Sequence, residues 1–166
     1  MKIFFASDHA GFELKNKLIE CVKGLGHETI DRGPFSFDPD DDYPDFIKLV
    51  AKEVSENPDS ARGIILGGGG QGEAIVANRF SNVRAVVFYG PISPKGVIDI
   101  SGKESFDLFE SVRLARSHNN ANVLSIGARF VSVDDAQKAV SVFLETLFSG
   151  DERHIRRIKK IDTVGK

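Results

Sequence analysis

The chain has 166 residues, 41% hydrophobic and 28% charged, a composition typical of one ordinary globular domain. Its formal net charge of −2 argues against a basic surface for nucleic acid or membranes. The single cysteine, Cys21, allows no intrachain disulfide, and no signal peptide or membrane span is evident, so we expect a cytoplasmic protein.

Short apolar runs alternate with segments of helical period through the first half of the chain. Predicted strands cover 2–6, 28–31 and 63–66, and predicted helices cover 12–25, 44–54 and 74–78. A loop rich in glycine, proline and aspartate fills 33–43, and Pro44 suits the first turn of the helix that follows.

The second half continues the same alternation after an irregular stretch. Predicted strands cover 84–88 and 122–126, and predicted helices cover 106–117, 134–147 and the basic tail 151–161. Residues 90–103 contain two prolines and several glycines and are expected to be irregular. The whole chain, 1–166, is therefore expected to form one three-layer α/β domain of Rossmann type. A five-stranded parallel sheet would carry helices on both faces.

Polar residues follow the ends of the predicted strands. They are Asp8 and His9 after the first strand, the run 67–73 after the third, His118 to Asn120 after the fourth and its insert, and Arg129 after the fifth. Ligands of open parallel sheets bind at the carboxyl ends of the strands. We therefore expect these residues to gather at one edge of the sheet.

The glycine run is the most informative local motif. Five glycines in six residues between a strand and a helix allow positive φ and close approach of a ligand. Backbone N–H groups at a helix start bind a phosphate or a developing oxyanion. A dinucleotide site is disfavoured, because the run follows the third strand and Ile92 stands about 20 residues on, where an acid is expected. No Gly-Lys-Ser/Thr follows, which also disfavours a nucleotide P-loop.

Each remaining candidate also has a purely structural interpretation. Glu73 suits a helix dipole, Asp8 a helix N-cap, His9 the surface, His118 a helix C-terminus, and Arg153, Arg156 and Arg157 a solvated face. The acidic run 40–42 can be a solvated loop, and its spacing demands no metal. Cys21 lies on the apolar face of the first helix and suits the core better than nucleophilic chemistry.

Several segments together resemble the ribose-5-phosphate isomerase B family, which includes the galactose-6-phosphate isomerase subunits. They are 7–11, 42–44, the glycine run, 77–78 and 118–123, and the likeness covers nearly the whole chain in order. The resemblance implies a sugar-phosphate isomerase of carbohydrate metabolism, in the pentose phosphate pathway, that needs no cofactor or metal. It also implies a homodimer whose active sites draw residues from both subunits, and leaves a tetramer open.

The resemblance assigns roles to individual residues. Glu73 and His118 are the implied catalytic residues, the first as proton-shuttling base and the second in ring opening. The implied substrate-binding residues are Asp8, His9, Tyr43, Gly68, Gly69, Gly70, Gln71, Gly72, Asn119, Arg129, Arg153 and Arg157. The three arginines correspond to the phosphate grip, and the glycine run to the anion hole for the enediolate.

Two departures from the family pattern matter. Many members place a cysteine base just before the anion loop, where this chain has Gly67, and another branch uses a glutamate in the position of Glu73. The chain therefore resembles the glutamate branch. Gly69 stands where a serine or threonine is usual, so one hydroxyl donor is missing. An insert around 90–109 is expected beside His118, where it could reshape the sugar pocket.

The expected reaction is interconversion of ribose 5-phosphate and ribulose 5-phosphate through a cis-enediolate. The alternative is the same chemistry on a six-carbon sugar phosphate, allose or galactose 6-phosphate, with the insert fitting the larger substrate. A non-catalytic sugar-phosphate-binding module is a further alternative. It is disfavoured because a glutamate beside an anion site would repel phosphate.

Overall fold

Short segments of mainly apolar residues form five strands that make one parallel sheet. The structure, a computed structural model, describes residues 1–164. The strands are β1 (Lys2–Ser7), β2 (Glu28–Asp31), β3 (Ala61–Gly67), β4 (Ala85–Phe88) and β5 (Val123–Gly127). Their order in the sheet is β2-β1-β3-β5-β4. The register sets Gly63 beside Val123 and Gly67 beside Gly127, so the carboxyl ends of β3 and β5 are level.

Helices on both faces complete three layers, as the sequence predicted. They are α1 (Phe12–Gly24), α2 (Tyr43–Glu56), α3 (Gln71–Ala77), α4 (Glu110–Asn119) and α5 (Val133–Glu145). A sixth helix, α6 (Glu152–Ile161), packs on α4. A short 3-10 turn, His9–Gly11, joins β1 to α1. No helix within residues 1–164 combines the length and apolar character needed to cross a bilayer.

Successive residues of β1 and β3 pack into two hydrophobic cores, one on each face of the sheet. Ile3 and Phe5 of β1 pack with α1, α4 and α5, whereas Phe4 and Ala6 pack with α2 and α3. The same period of two divides Ile64 and Leu66 from Ile65 in β3. Because the sheet is covered on both faces, its strands are continuous apolar runs.

The predicted elements are confirmed, with displaced starts at α3, which begins at Gln71 and not at 74, and at α4. Helix α4 begins at Glu110 and not near 106, because Asp107 forms a turn just before it. The Asp107 Oδ1 accepts the Phe109 N–H at 2.8 Å, and the Asp107 carbonyl accepts the Glu110 N–H at 3.1 Å. Phe106 is 83% exposed, so its apolar character does not belong to the buried face of the helix.

Candidate active site

The segments after β1, β3 and β5 meet at the carboxyl edge of the sheet. The Asp8 N–H donates to the Leu66 carbonyl at 3.2 Å, and the Ala128 N–H donates to the Gly67 carbonyl at 2.8 Å. The Arg129 N–H donates to the Gly68 carbonyl at 3.3 Å. These bonds bring Asp8, the glycine run and Arg129 to one place, as the sequence predicted.

The glycine run is pressed against the end of β5. Gly70 has φ of +74°, and a Cβ there would lie 3.0 Å from the backbone nitrogen of Gly127. The Gly70 carbonyl also accepts the Ser125 hydroxyl at 2.6 Å. This fixes the start of α3, whose first-turn N–H groups have no partner within the helix. The loop is therefore built to offer N–H donors to an anionic group.

Glu73 lies in the first turn of α3 and is 4% exposed. A Cβ added to Gly67 would stand 1.8 Å from its Oε1, so the carboxylate fills the space that any larger residue 67 would need. Burial raises the pKa of Glu73, and the Asp8 carboxylate raises it further. The backbone N–H groups of Glu73 and Gly70 act in the opposite direction and lower the pKa. A carboxylate with a raised pKa suits general-base chemistry near neutral pH.

Tyr43 and Arg129 line the glycine run from two sides. A Cβ at Gly72 would be 2.8 Å from the Tyr43 hydroxyl oxygen, which places the phenol against the start of α3. A Cβ at Gly68 would be 3.0 Å from the Arg129 Cζ. Arg129 is itself exposed, so its planar guanidinium is accessible to an anionic ligand.

Asp8 and His9 occupy the turn between β1 and α1. The Asp8 Oδ1 accepts the Gly11 N–H at 3.1 Å, which caps the 3-10 turn and keeps the carboxylate 7% exposed. His9 is held from across the edge by Asp41, whose Oδ1 lies 2.7 Å from the His9 Nδ1. The hydrogen bond to Asp41 raises the pKa of His9, although partial desolvation opposes it.

Asp41 is a site residue that the sequence reasoning missed. The acidic composition of 40–42 favours a solvated loop, whereas the Asp41 side chain is 5% exposed and hydrogen-bonded to His9. The only sequence signal is the proximity of this run to Tyr43, and nothing in its spacing distinguishes Asp41 from Asp40 and Asp42.

His118, Asn119, Arg153 and Arg157 do not join this site within one chain. The helix α4 runs antiparallel to the strands and delivers His118 just before β5, at the amino edge of the sheet. About four residues of strand, roughly 13 Å, separate that edge from Gly67. The expectation that the polar residues after the strands gather at one edge is therefore wrong for the segment from His118 to Asn120.

At the amino edge, His118 packs against α6. Its ring stacks on His154, with centroids 4.3 Å apart. Burial lowers the pKa of His154, and His118 lowers it further. Arg157 and Asn119 are exposed, while the Nε of Arg153 is buried and makes no hydrogen bond within residues 1–164.

The insert flanks the carboxyl edge and not His118. It follows Tyr89, whose ring carbons would lie 3.1 Å from a Cβ on Gly127, and it closes on itself through the Ile98 N–H and the Lys103 carbonyl at 2.7 Å. About nine residues of helix, roughly 13 Å, carry the chain from Glu110 to His118. The predicted neighbourhood of insert and histidine is therefore wrong within one chain.

Metal-binding geometry is not found in the described part of the chain. Within residues 1–164, no group of three or more His, Cys, Asp and Glu side chains is arranged to hold a metal ion. What the carboxyl edge assembles is a buried carboxylate, a loop of N–H donors and a guanidinium. This arrangement can move a proton next to a carbonyl whose oxygen is stabilised.

Comparisons with known proteins agree with this geometry. A family described as Ribose/Galactose Isomerase matches residues 3–96 and 107–161. Ribose-5-phosphate isomerase B of Mycolicibacterium paratuberculosis is 40% identical over 158 residues, which cover 95% of this chain and 87% of the relative. A probable ribose-5-phosphate isomerase B of Mycoplasma genitalium is 40% identical over 159 residues, which cover 96% of this chain and 92% of the relative.

Solved structures give the same result. Ribose-5-phosphate isomerase B from Mycoplasma genitalium, with bound ribulose-5-phosphate, superposes with a TM-score of 0.83 at 39% identity, covering 97% of this chain and 93% of that one. The enzyme of that type from Thermotoga maritima superposes with a TM-score of 0.81 at 40% identity, covering 98% of both chains.

Proposed function

Since the chain belongs to the ribose/galactose isomerase family, we propose that it interconverts ribose 5-phosphate and ribulose 5-phosphate with Glu73 as the base. Its chemistry is that of an aldose–ketose isomerase. The relatives that carry the name ribose-5-phosphate isomerase B, and the relative solved with ribulose-5-phosphate, support the substrate. The single observation that supports the base is the buried Glu73 carboxylate packed against Gly67.

The proton transfer needs one base for both carbons. Glu73 takes the proton from C2 of the open-chain aldose, and the resulting cis-enediolate is held by the N–H groups of residues 69–72. The same carboxyl group then returns the proton to C1, while the hydroxyl proton moves from O2 to O1. One N–H donor of this kind is typically worth about 3–4 kcal/mol in the transition state. The raised pKa of Glu73 brings its proton affinity closer to that of the carbon acid.

A second copy of the chain completes the site in this proposal. His118 and Asn119 lie at the amino edge, away from Glu73, and Arg153 and Arg157 lie on the neighbouring α6. In a homodimer these residues would enter the partner's carboxyl edge, where the arginines would join Arg129 on the phosphate and His118 would move the proton at the ring oxygen. The single cysteine is compatible with a cytoplasmic setting.

A six-carbon sugar phosphate remains the second candidate substrate. The observation that favours it is the insert, which lies beside the carboxyl edge and contains residues 97–106 that the family match omits. The ratio of kcat/KM on ribose 5-phosphate to that on allose or galactose 6-phosphate decides between them. We expect the ratio to favour the five-carbon substrate.

The test of the base is Glu73→Gln assayed for ribulose 5-phosphate formation. We expect kcat to fall by about 10³-fold, within the range that general bases contribute, while inorganic phosphate binds as before. Glu20→Gln, a change of the same kind on the exposed face of α1, serves as the control and should keep full activity. Comparable kcat in Glu73→Gln and the control would contradict the assignment.

A further inference from the structure

The segment between β2 and α2, residues 32–42, is fixed at both ends against the candidate site. At its start, the fully buried Lys15 donates through Nζ to both Asp31 oxygens at 2.7 Å and to the Pro34 carbonyl at 2.8 Å. The Ser7 N–H donates to the Gly33 carbonyl at 3.0 Å. At its far end, the Asp41 carboxylate is hydrogen-bonded to His9. The position of Asp41 is therefore fixed by contacts at both ends of the segment.

Asp41 accepts hydrogen bonds from two donors of His9. Its Oδ1 accepts the His9 backbone N–H at 3.1 Å and lies 2.7 Å from the His9 Nδ1. A carboxylate accepts and does not donate, so Nδ1 carries the proton in this contact. The other ring nitrogen, Nε2, is then free to serve a ligand, and it makes no hydrogen bond to any residue in the range 1–164.

The surroundings of Asp41 favour the charged form of His9. The Asp41 Oδ2 is buried without a hydrogen-bond partner in the described residues, and the His9 ring lies within salt-bridge distance of Oδ1. A buried carboxylate left without a positive partner is costly. The groups that face His9 are Asp8 and Asp41, which favour the imidazolium, and Arg129, which opposes it. Phe37 stands edge-on to the imidazole at 6.4 Å between ring centroids.

We infer that Asp41 is a positioning residue that fixes His9 as an Nδ1–H donor and presents Nε2–H to the phosphate of the substrate. The inference rests on the proposed function, because it assigns the ligand of His9 as a sugar phosphate. Asp41 acts through His9 and does not touch the substrate. An imidazolium donates a charge-assisted hydrogen bond to phosphate, and a fixed ring loses less entropy when it does so.

The pH dependence follows from the direction of the shift. A raised His9 pKa keeps the imidazolium present at higher pH than an ordinary histidine would. Phosphate affinity supplied by His9 is therefore complete below its pKa and falls as pH rises through it. Removing the Asp41 charge should move that fall to lower pH.

The experiment compares Asp41→Asn with Asp40→Asn, the exposed neighbour in the same segment. Imidazole nitrogen NMR on the ligand-free protein reports the tautomer and pKa of His9, assigned with His9→Asn. Inorganic phosphate is the binding probe. In Asp41→Asn we expect a lower His9 pKa and about tenfold weaker phosphate binding, the loss of one hydrogen bond to a charged group. We expect kcat to change less than the phosphate affinity does, and Asp40→Asn to match the wild type.

Two results would overturn the inference. One is a neutral His9 in the wild type at the pH of the binding assay, whichever ring nitrogen holds the proton, because a neutral ring cannot donate from both nitrogens. This measurement does not depend on any variant folding. The other is an Asp41→Asn protein with wild-type His9 pKa and phosphate affinity. Partial recovery of phosphate affinity in Asp41→Glu would show that the position of the carboxylate matters as well as its charge. Because the NMR experiment uses no sugar, a protein with the expected tautomer but no isomerase activity would contradict the proposed function and leave the Asp41–His9 pairing intact.

Discussion

The two edges of the sheet are built in different ways. At the carboxyl edge, Glu73 and Asp8 are nearly buried and are held by contacts within the same chain. At the amino edge, Asn119 and Arg157 are exposed, and α6 packs on α4 outside the three layers. In the proposed site, the residues around Glu73 are therefore positioned by one chain, whereas Asn119 and Arg157 face outward, as residues that contact a second copy would.

The largest effect is expected from Gly67→Ala, a substitution that disrupts the carboxyl edge alone. In Gly67→Ala the new methyl would stand 1.8 Å from the Glu73 Oε1, so the carboxylate must leave its position. A misplacement of about 1 Å can reduce the rate of catalysis by about 100-fold. We therefore expect kcat to fall by at least about 100-fold. Steady-state kinetics measure it. Gly24→Ala in α1 is the matched control, since a Cβ there meets nothing within 4 Å. A kcat for Gly67→Ala within threefold of the control would contradict the packing argument.

An intermediate effect tests whether the two edges meet across subunits. Glu73→Gln and His118→Asn damage different edges, and each alone should be inactive or nearly so. If one site uses Glu73 from one subunit and His118 from the other, each mixed dimer keeps one intact site. Random mixing of subunits then restores about a quarter of wild-type activity. Native mass spectrometry establishes that mixed dimers are present. Mixed dimers without recovered activity would show that the edges do not share a site.

The smallest expected effect concerns stability. The folded-state pKa of Glu73 is raised, so its contribution to stability is complete below the unfolded pKa and is lost as pH rises through the folded value. Above that pH the buried Glu73 charge destabilises the wild-type protein, whereas Glu73→Gln carries no such charge. We expect the Tm of the variant, relative to wild type, to rise between pH 4 and pH 8. Thermal unfolding across that range measures this difference, and a constant difference in Tm would count against the shift.

Much of the fold could be predicted because periodicity is a local property. The short apolar run that identified the segment 2–6 is the strand whose neighbouring residues Phe4 and Phe5 pack into two different cores. The strand order could not be predicted, since nothing local in 123–127 places β5 between β3 and β4. The start of α4 was missed because Asp107 reorganises the turn through hydrogen bonds that a count of apolar residues does not detect.

The candidate site divides in the same way. The glycine run and Glu73 are adjacent in sequence, and their meeting with Asp8 follows from parallel strands ending at one edge. Asp41 reaches His9 across 32 positions, and the stacking of His118 on His154 depends on where α6 packs. Both contacts are products of tertiary packing and have no signature in spacing or composition.

The contact between Gly67 and Glu73 also constrains how such a site can change over time. The Glu73 carboxylate occupies the space that a side chain at position 67 would need. A larger residue 67 is therefore tolerated only after Glu73 has been replaced by a shorter residue or has moved. With Glu73 as the proposed base, exchange of Glu73 first removes it, and exchange of Gly67 first displaces it. We therefore expect residues 67 and 73 to change together.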